Sequence, residues 1–155
     1  MVGKIFRAIR YVLLRKFLSK NEEKQIIDKI KKIESTTNTE IRVHLATKKV
    51  KNVGIDAHET FERIGMMKTK ERNGIMMYIN LRNKEFVVIG DEGIHQRLPK
   101  HFWQDMVDAV QIEFKKGKFT EGIINAIEKL RTPLEKFFPK TPTDTNELPN
   151  EISKE

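Results

Sequence analysis

Hydrophobic and polar residues along the chain predict three β-strands. In EIRVHLA (residues 40–46) every second residue is apolar, which is typical of a strand with one buried face. GIMMYINL (74–81) is almost continuously apolar and indicates a central strand covered on both faces. The residues RNKE then predict a hairpin turn, so that EFVVIG (85–90) returns antiparallel to the central strand.

Apolar residues three and four positions apart predict four helices around these strands. They begin after Ser19, at Asp56, at about Pro99 and at Thr120. Ser19 and Glu22 form a capping-box pattern at the first of these starts. Gly117 separates the last two helices, and Pro133 is expected to kink or split the final one. The order contains one strand–helix–strand crossover followed by a hairpin, which predicts an α/β/α sandwich, a small mixed β-sheet with helices on both faces.

The two ends of the chain differ in pattern from this domain, which we place at residues 20–138. Residues 1–19 carry apolar residues at helical spacing between basic ones, and the first 20 residues contain no acid. They predict a basic amphipathic helix that either packs on the domain or a protein partner, or lies on an anionic membrane surface. Residues 139–155 have no core-forming pattern and are expected to be a disordered tail.

The amino-acid composition excludes several classes of structure and function. The 155 residues include no cysteine, which excludes disulfides, thiolate catalysis and cysteine-ligated zinc. No apolar run approaches the roughly 20 residues of a membrane span, and the N-terminus does not resemble a secretory signal, so we expect a cytoplasmic protein. The net charge of +8 comes largely from the first 20 residues. Because the rest is mildly basic and lacks a recognised nucleic-acid motif, nucleic acid is an unlikely partner.

Several enzymatic motifs are absent from the sequence. The turn GDEG (90–93) has neither the Walker nor the dinucleotide-binding spacing, and its adjacent carboxylates would repel phosphate. None of the three serines lies in a nucleophile elbow. His58 and Glu59 begin like a zinc-protease helix, but the fifth position is Glu62, which indicates a solvated helix face.

Acidic residues at one edge of the predicted sheet leave a hard-cation site possible. The crossover and the hairpin bring the start of the first two strands and the end of the third to the same edge. This edge collects Glu40, Asn73, Asp91 and Glu92, with His95 nearby. Carboxylate and carbonyl oxygens are the ligands that Ca²⁺ or Mg²⁺ selects. The alternative is that Asp91 and Gly93 only form a turn and that Glu40 is a solvated strand start, and spacing alone favours this alternative.

Separated motifs in a fixed order resemble the TPM domain family in its small stand-alone bacterial form. They are TNTEIRVHLA, then GMMKTKERNGIMMYINLRNKEFVVIGDEGIHQRLPKHFW, then FKKGKFTEGIINAI. The similarity covers roughly residues 20–138. It implies an α/β/α sandwich and divalent-cation binding, with calcium reported among relatives, through acidic residues near the sheet edge. At the matching motif positions, the resemblance implies Asp91, Glu92 and Glu40 as the metal ligands.

The resemblance also implies two readings of function. The first is a soluble domain that binds Ca²⁺ or Mg²⁺ and acts as a binding or regulatory module. The alternative is a weak metal-dependent acid phosphatase, because some plant relatives were described as phosphatases; whether this chain is an enzyme is left open by its residues. Many relatives also carry a transmembrane segment or a signal peptide, and neither is expected in this sequence.

Overall fold

The computed structural model describes residues 17–155. The predicted basic N-terminal helix therefore lies outside the described residues, apart from its last three positions. The helices are α1 (Lys20–Glu34), α2 (Val53–Arg63), α3 (Glu92–His95), α4 (Lys100–Lys115) and α5 (Phe119–Phe137). The strands are β1 (Glu40–Ala46), β2 (Gly74–Asn80), β3 (Glu85–Gly90) and β4 (Ser153–Lys154). None of the described helices is long and apolar enough to cross a membrane.

The strands form one mixed sheet in the order β3-β2-β1-β4. β2 lies parallel to β1 and antiparallel to β3, as the crossover and the hairpin predict. All seven residues of β2 are buried, which confirms that it is a central strand covered on both faces. In register, Glu40 lies opposite Gly74, and Ile75 lies opposite Gly90.

Alternation of side chains along the strands divides the core into two layers. Ile75, Met77 and Ile79 belong to the larger cluster, which also contains the buried faces of α1, α4 and α5. Met76 and Tyr78 belong to a smaller cluster with α2. Helices therefore cover both faces of the sheet, and the predicted α/β/α sandwich is confirmed.

Helix boundaries agree with the sequence at some positions and differ at others. The capping box is present, since the Glu22 N–H donates to Ser19 Oγ (3.1 Å) and the Ser19 N–H to Glu22 Oε1 (3.1 Å). α2 begins at Val53 and not at Asp56, because the side chain of Asn52 accepts the Ile55 N–H (3.0 Å) and caps the helix three residues earlier. Asp56 instead accepts a hydrogen bond from the Tyr78 hydroxyl.

Pro133 does not split the last helix, which leaves the kink as the remaining part of the prediction. α5 continues from Phe119 to Phe137 with the proline inside it. Leu130 and Leu134 on either side of Pro133 are fully buried in the larger cluster. Their packing holds the helix together where local propensity would break it.

The C-terminal segment differs from the expected disordered tail. Its residues Ser153 and Lys154 form β4, which extends the sheet parallel to β1. Both backbone polar groups of Glu155 bond to the β1 side of the sheet. Its N–H donates to the Leu45 carbonyl (2.9 Å), and its carbonyl accepts the Thr47 N–H (3.0 Å). These are bonds to the backbone of a strand edge, which do not require the apolar alternation that a sequence pattern detects.

Candidate functional site at the edge of the sheet

The GDEG turn ends β3 and begins the short helix α3. Asp91 is the N-cap of this helix, and its Oδ1 accepts the Glu92 N–H (2.8 Å). The Gly93 N–H donates to the Arg72 carbonyl (2.9 Å). A Cβ at Gly93 would lie 2.3 Å from the Glu71 carbonyl oxygen, so the close approach of the two chains requires glycine.

Asp91 is bound by an arginine that the sequence analysis did not consider. Arg72 donates from Nε to Asp91 Oδ2 (2.7 Å) and from Nη2 to Oδ1 (2.8 Å). The hydrogen bonds to Asp91 raise the pKa of the Arg72 guanidinium. Asp91 is only 5% exposed, and both of its carboxylate oxygens accept hydrogen bonds within the fold. The guanidinium already compensates the charge of this carboxylate, so a cation at Asp91 would compete with it.

The side chain of Glu92 is largely exposed to solvent. Its side chain is 74% exposed, and its nearest cationic atom is Arg72 Nη1 at 4.0 Å. Asn73, which the sequence analysis placed at the same edge, is buried and donates from Nδ2 to the Asn38 carbonyl (2.7 Å).

Glu40 occupies the predicted edge but turns toward the C-terminal segment. The Glu147 N–H donates to Glu40 Oε1 (2.7 Å) and the Leu148 N–H to Oε2 (3.4 Å). Gly74 lies between Glu40 and Asp91, since it is opposite Glu40 and its carbonyl accepts the Asp91 N–H. With two strand spacings between them, their backbones are about 10 Å apart.

The carboxyl group that does meet Glu40 is that of Glu34, which the sequence analysis missed. The two side chains lie close enough for each to shift the pKa of the other, and Glu34 Oε2 accepts the Ile41 N–H (2.9 Å). Burial, together with the charge of Glu40, raises the pKa of Glu34 to about 8. Burial raises the pKa of Glu40 as well. The sequence offers one indication that Glu34 has a specific role. It lies in the last turn of α1, where the helix dipole disfavours a negative charge.

The Glu34–Glu40 pair lies at a cleft of about 180 Å³ between α1 and the C-terminal segment. Besides these two residues it is lined by polar and basic side chains: Lys31, Ser35, Thr37, Asn38, Thr39, Lys140, Asp144, Thr145, Asn146 and Asn150. Asn150 Oδ1 is buried and has no hydrogen-bond partner among residues 17–155. The cleft thus offers carboxylate, hydroxyl and amide oxygens.

The predicted ligands do not fit a preformed cation site of their own. Asp91 is paired with Arg72, Glu92 is exposed, and both oxygens of Glu40 accept backbone N–H groups of the C-terminal segment. Within the part of the chain that the structure describes, no three His, Asp or Glu side chains are placed to share one ion. Binding of Ca²⁺ or Mg²⁺ therefore stays a prediction.

Comparisons with known proteins agree with the motifs. The model of the TPM domain matches residues 13–132. The BA42 protein from the psychrophilic bacterium Bizionia argentinensis, which has a solution structure, is 40% identical in sequence to this chain. The match covers 90% of this chain and 96% of that one, with a TM-score of 0.83. The N-terminal domain of a P. gingivalis protein shares the fold at 17% identity and a TM-score of 0.66, covering 77% of this chain and 78% of that one. No curated protein sequence matches. The chain belongs to the TPM domain family.

Proposed function

We propose that this protein is a binding or regulatory module that takes Ca²⁺ or Mg²⁺ at the cleft formed by Glu34 and Glu40. The supporting observation is that the carboxyl groups of Glu34 and Glu40 line the same polar cleft, where Glu40 is only 5% exposed. Two neighbouring carboxyl groups that are partly withdrawn from water repel each other when both are charged, so one of them holds a proton at a higher pH than usual. A divalent ion can replace the proton that the pair holds and compensate both charges.

The neutral oxygens around the pair suit a hard cation. Thr37, Asn38 and Thr39 follow α1, and Asn146 and Asn150 lie on the C-terminal segment. Ca²⁺ accepts six to eight oxygens in irregular geometry, and Mg²⁺ fewer, with water retained. The proposal keeps Glu40 from the predicted ligands and replaces Asp91 and Glu92 with Glu34, because Asp91 is already bound by Arg72.

A titration of metal-free, full-length protein with CaCl₂ and then MgCl₂, followed by amide NMR, tests the proposal. We expect shifts centred on residues 34–41 and 144–150, and their loss in Glu40→Gln, which retains an oxygen for the Glu147 N–H. Asp91→Asn is the matched control and should respond like the wild type. No shift at millimolar cation, or shifts centred on Asp91 in both proteins, would contradict the proposal.

Proton release provides a second readout of the same site. If a cation replaces the shared proton, binding near neutral pH releases about one proton per ion. Calorimetry in two buffers of different ionisation enthalpy measures this number. An apparent enthalpy that is independent of the buffer would count against exchange at the Glu34–Glu40 pair.

The phosphatase alternative has less support in the geometry. A metal-dependent phosphomonoesterase needs a polarising cation and a group that activates water or attacks phosphorus. Of the two acidic residues in the GDEG turn, Asp91 is bound to Arg72 and caps a helix, and Glu92 is exposed. Hydrolysis of a generic phosphate ester by wild type and by Glu40→Gln distinguishes the two functions, since equal rates would mean that the cleft is not catalytic.

A further inference from the structure

β3 is the last strand on one side of the sheet, and half of its backbone groups point outward. The Asp91 N–H donates to the Gly74 carbonyl, so these two residues form a hydrogen-bonded pair. Hydrogen-bonded and non-hydrogen-bonded pairs alternate along antiparallel strands. By the register, Ile89 and Val87 bond to β2, whereas the N–H and C=O groups of Phe86, Val88 and Gly90 face away from it. None of these outward groups has a hydrogen-bond partner among residues 17–155.

A groove of about 570 Å³ runs along this free edge. α2 contributes His58 to one wall, and the other wall is formed by α3 and α4 with His95, Lys100, Trp103 and Val107. The indole of Trp103 packs so closely on Gly90 that a Cβ there would lie 3.0 Å from the ring. Its Nε1–H is buried and has no acceptor among the described residues.

The charge of the groove has one sign. Its ionisable lining residues are His58, His95 and Lys100, and no carboxylate lines it. Val87 and Val88 on β3 supply apolar surface between the basic groups. A basic, partly apolar groove beside an unpaired strand edge is the arrangement that β-strand addition uses in peptide recognition.

We propose that this groove binds an extended, acidic peptide segment of a partner protein, which adds a strand to β3. The backbone of the segment would pair with Phe86, Val88 and Gly90, and its carboxylates would lie near His95 and Lys100. The opposite edge of the same sheet supports this choice of ligand. There the acidic C-terminal segment of the chain pairs with β1 through its backbone. This site is separate from the Glu34–Glu40 cleft, and neither proposal depends on the other.

The fluorescence of Trp103, the single tryptophan of the chain, measures binding in the groove directly. The probe is an acetylated and amidated peptide of about seven residues in which threonine or valine alternates with glutamate. Matched probes carry lysine for glutamate, or N-methyl groups on the backbone that would pair. We expect the glutamate peptide to shift Trp103 emission and to bind at least about tenfold more tightly than either matched probe, with binding weakened by salt.

Two variants of the full-length protein test the contacts. Val88→Pro removes an outward N–H without removing a bond to β2. Edge strands tolerate proline at positions of this kind. Lys100→Glu reverses the charge of one wall, and Lys129→Glu on the exposed face of α5 is its matched control. Val88→Pro and Lys100→Glu should each weaken the glutamate peptide about tenfold, and Lys129→Glu should leave binding unchanged.

Three results would overturn the proposal. The first is equal binding of the glutamate, lysine and N-methylated peptides, which would mean that no strand is added. The second is a stable dimer by light scattering that Val88→Pro converts to monomer, because a second copy would then occupy the edge. The third is peptide binding only after removal of residues 1–16, which would assign the groove to the chain's own N-terminal segment.

Discussion

Arg72 holds Asp91 by two hydrogen bonds, from Nε to Oδ2 (2.7 Å) and from Nη2 to Oδ1 (2.8 Å). The pair joins the loop before β2 to the end of β3, and Asp91 also caps α3. Arg72 adopts a φ of 50°, which is uncommon for a residue with a side chain. The carboxylate thus fixes the conformation of both turns at this edge of the sheet.

Removal of this carboxylate should destabilise the protein. Asp91→Ala loses the helix cap and leaves the guanidinium of Arg72 without its partner. We expect the free energy of unfolding to fall by about 2–3 kcal/mol. This is less than the loss for a fully buried ion pair, because Arg72 is partly exposed. Urea denaturation measures it. Glu92→Ala, at the exposed neighbouring position, should change stability by less than about 0.5 kcal/mol. Similar losses in the two variants would show that the Arg72 pair is not important for stability.

Stability should fall as pH rises from about 4.5 to about 8. Burial raises the pKa of Glu34 to about 8, from its ordinary value of 4.5. Between these values the folded state binds more protons than the unfolded state, so each pH unit lowers stability by at most about 1.4 kcal/mol. The contribution of the protonated group is fully present below pH 4.5 and is lost as pH passes through the folded pKa.

Glu34→Gln tests the origin of this slope. The amide keeps an oxygen for the Ile41 N–H but does not titrate, so the variant should be less sensitive to pH and relatively more stable at pH 8. Denaturation at several pH values, without divalent cations, provides the comparison. An unchanged slope in Glu34→Gln would assign the pH dependence to other groups.

Gly93 should not tolerate a side chain. In Gly93→Ala the new Cβ would lie 2.3 Å from the Glu71 carbonyl oxygen and 2.7 Å from that of Arg72. Both are backbone atoms, so the turn must move, and we expect a loss of about 2 kcal/mol or more. Gly54→Ala is the matched control, because its Cβ would meet only the Asn52 side chain, at 3.3 Å. Thermal unfolding of the two variants compares them.

The C-terminal segment should protect the edge of β1. Removal of residues 141–155 takes away the acceptor of the Thr47 N–H and exposes His44, whose Nδ1 lies 2.7 Å from Ser153 Oγ. Burial lowers the pKa of His44, so truncation should raise it toward its ordinary value. NMR titration and amide exchange measure both effects. Unchanged exchange at Thr47 would show that β4 does not protect the edge.

Much of the fold follows from local pattern. The alternation in residues 40–46 and the apolar run at 74–81 each predict a strand, and the structure confirms both. The connection types then specify the mixed sheet, and with it the edge where Glu40 and Asp91 lie. Two helix features did not follow from local pattern. Tertiary packing keeps α5 continuous through Pro133, and the cap at Asn52 starts α2 three residues before the predicted position.

The sequence by itself determined strands β1 to β3, their crossover order and the family, since these depend on residue periodicity and on motifs in a fixed order. Only the tertiary structure decided the partners of the acidic residues: Arg72 for Asp91, and Glu34 for Glu40. It also decided the path of residues 139–155 along β1. Side-chain direction and backbone hydrogen bonds between distant segments depend on three-dimensional proximity, which spacing along the chain does not encode.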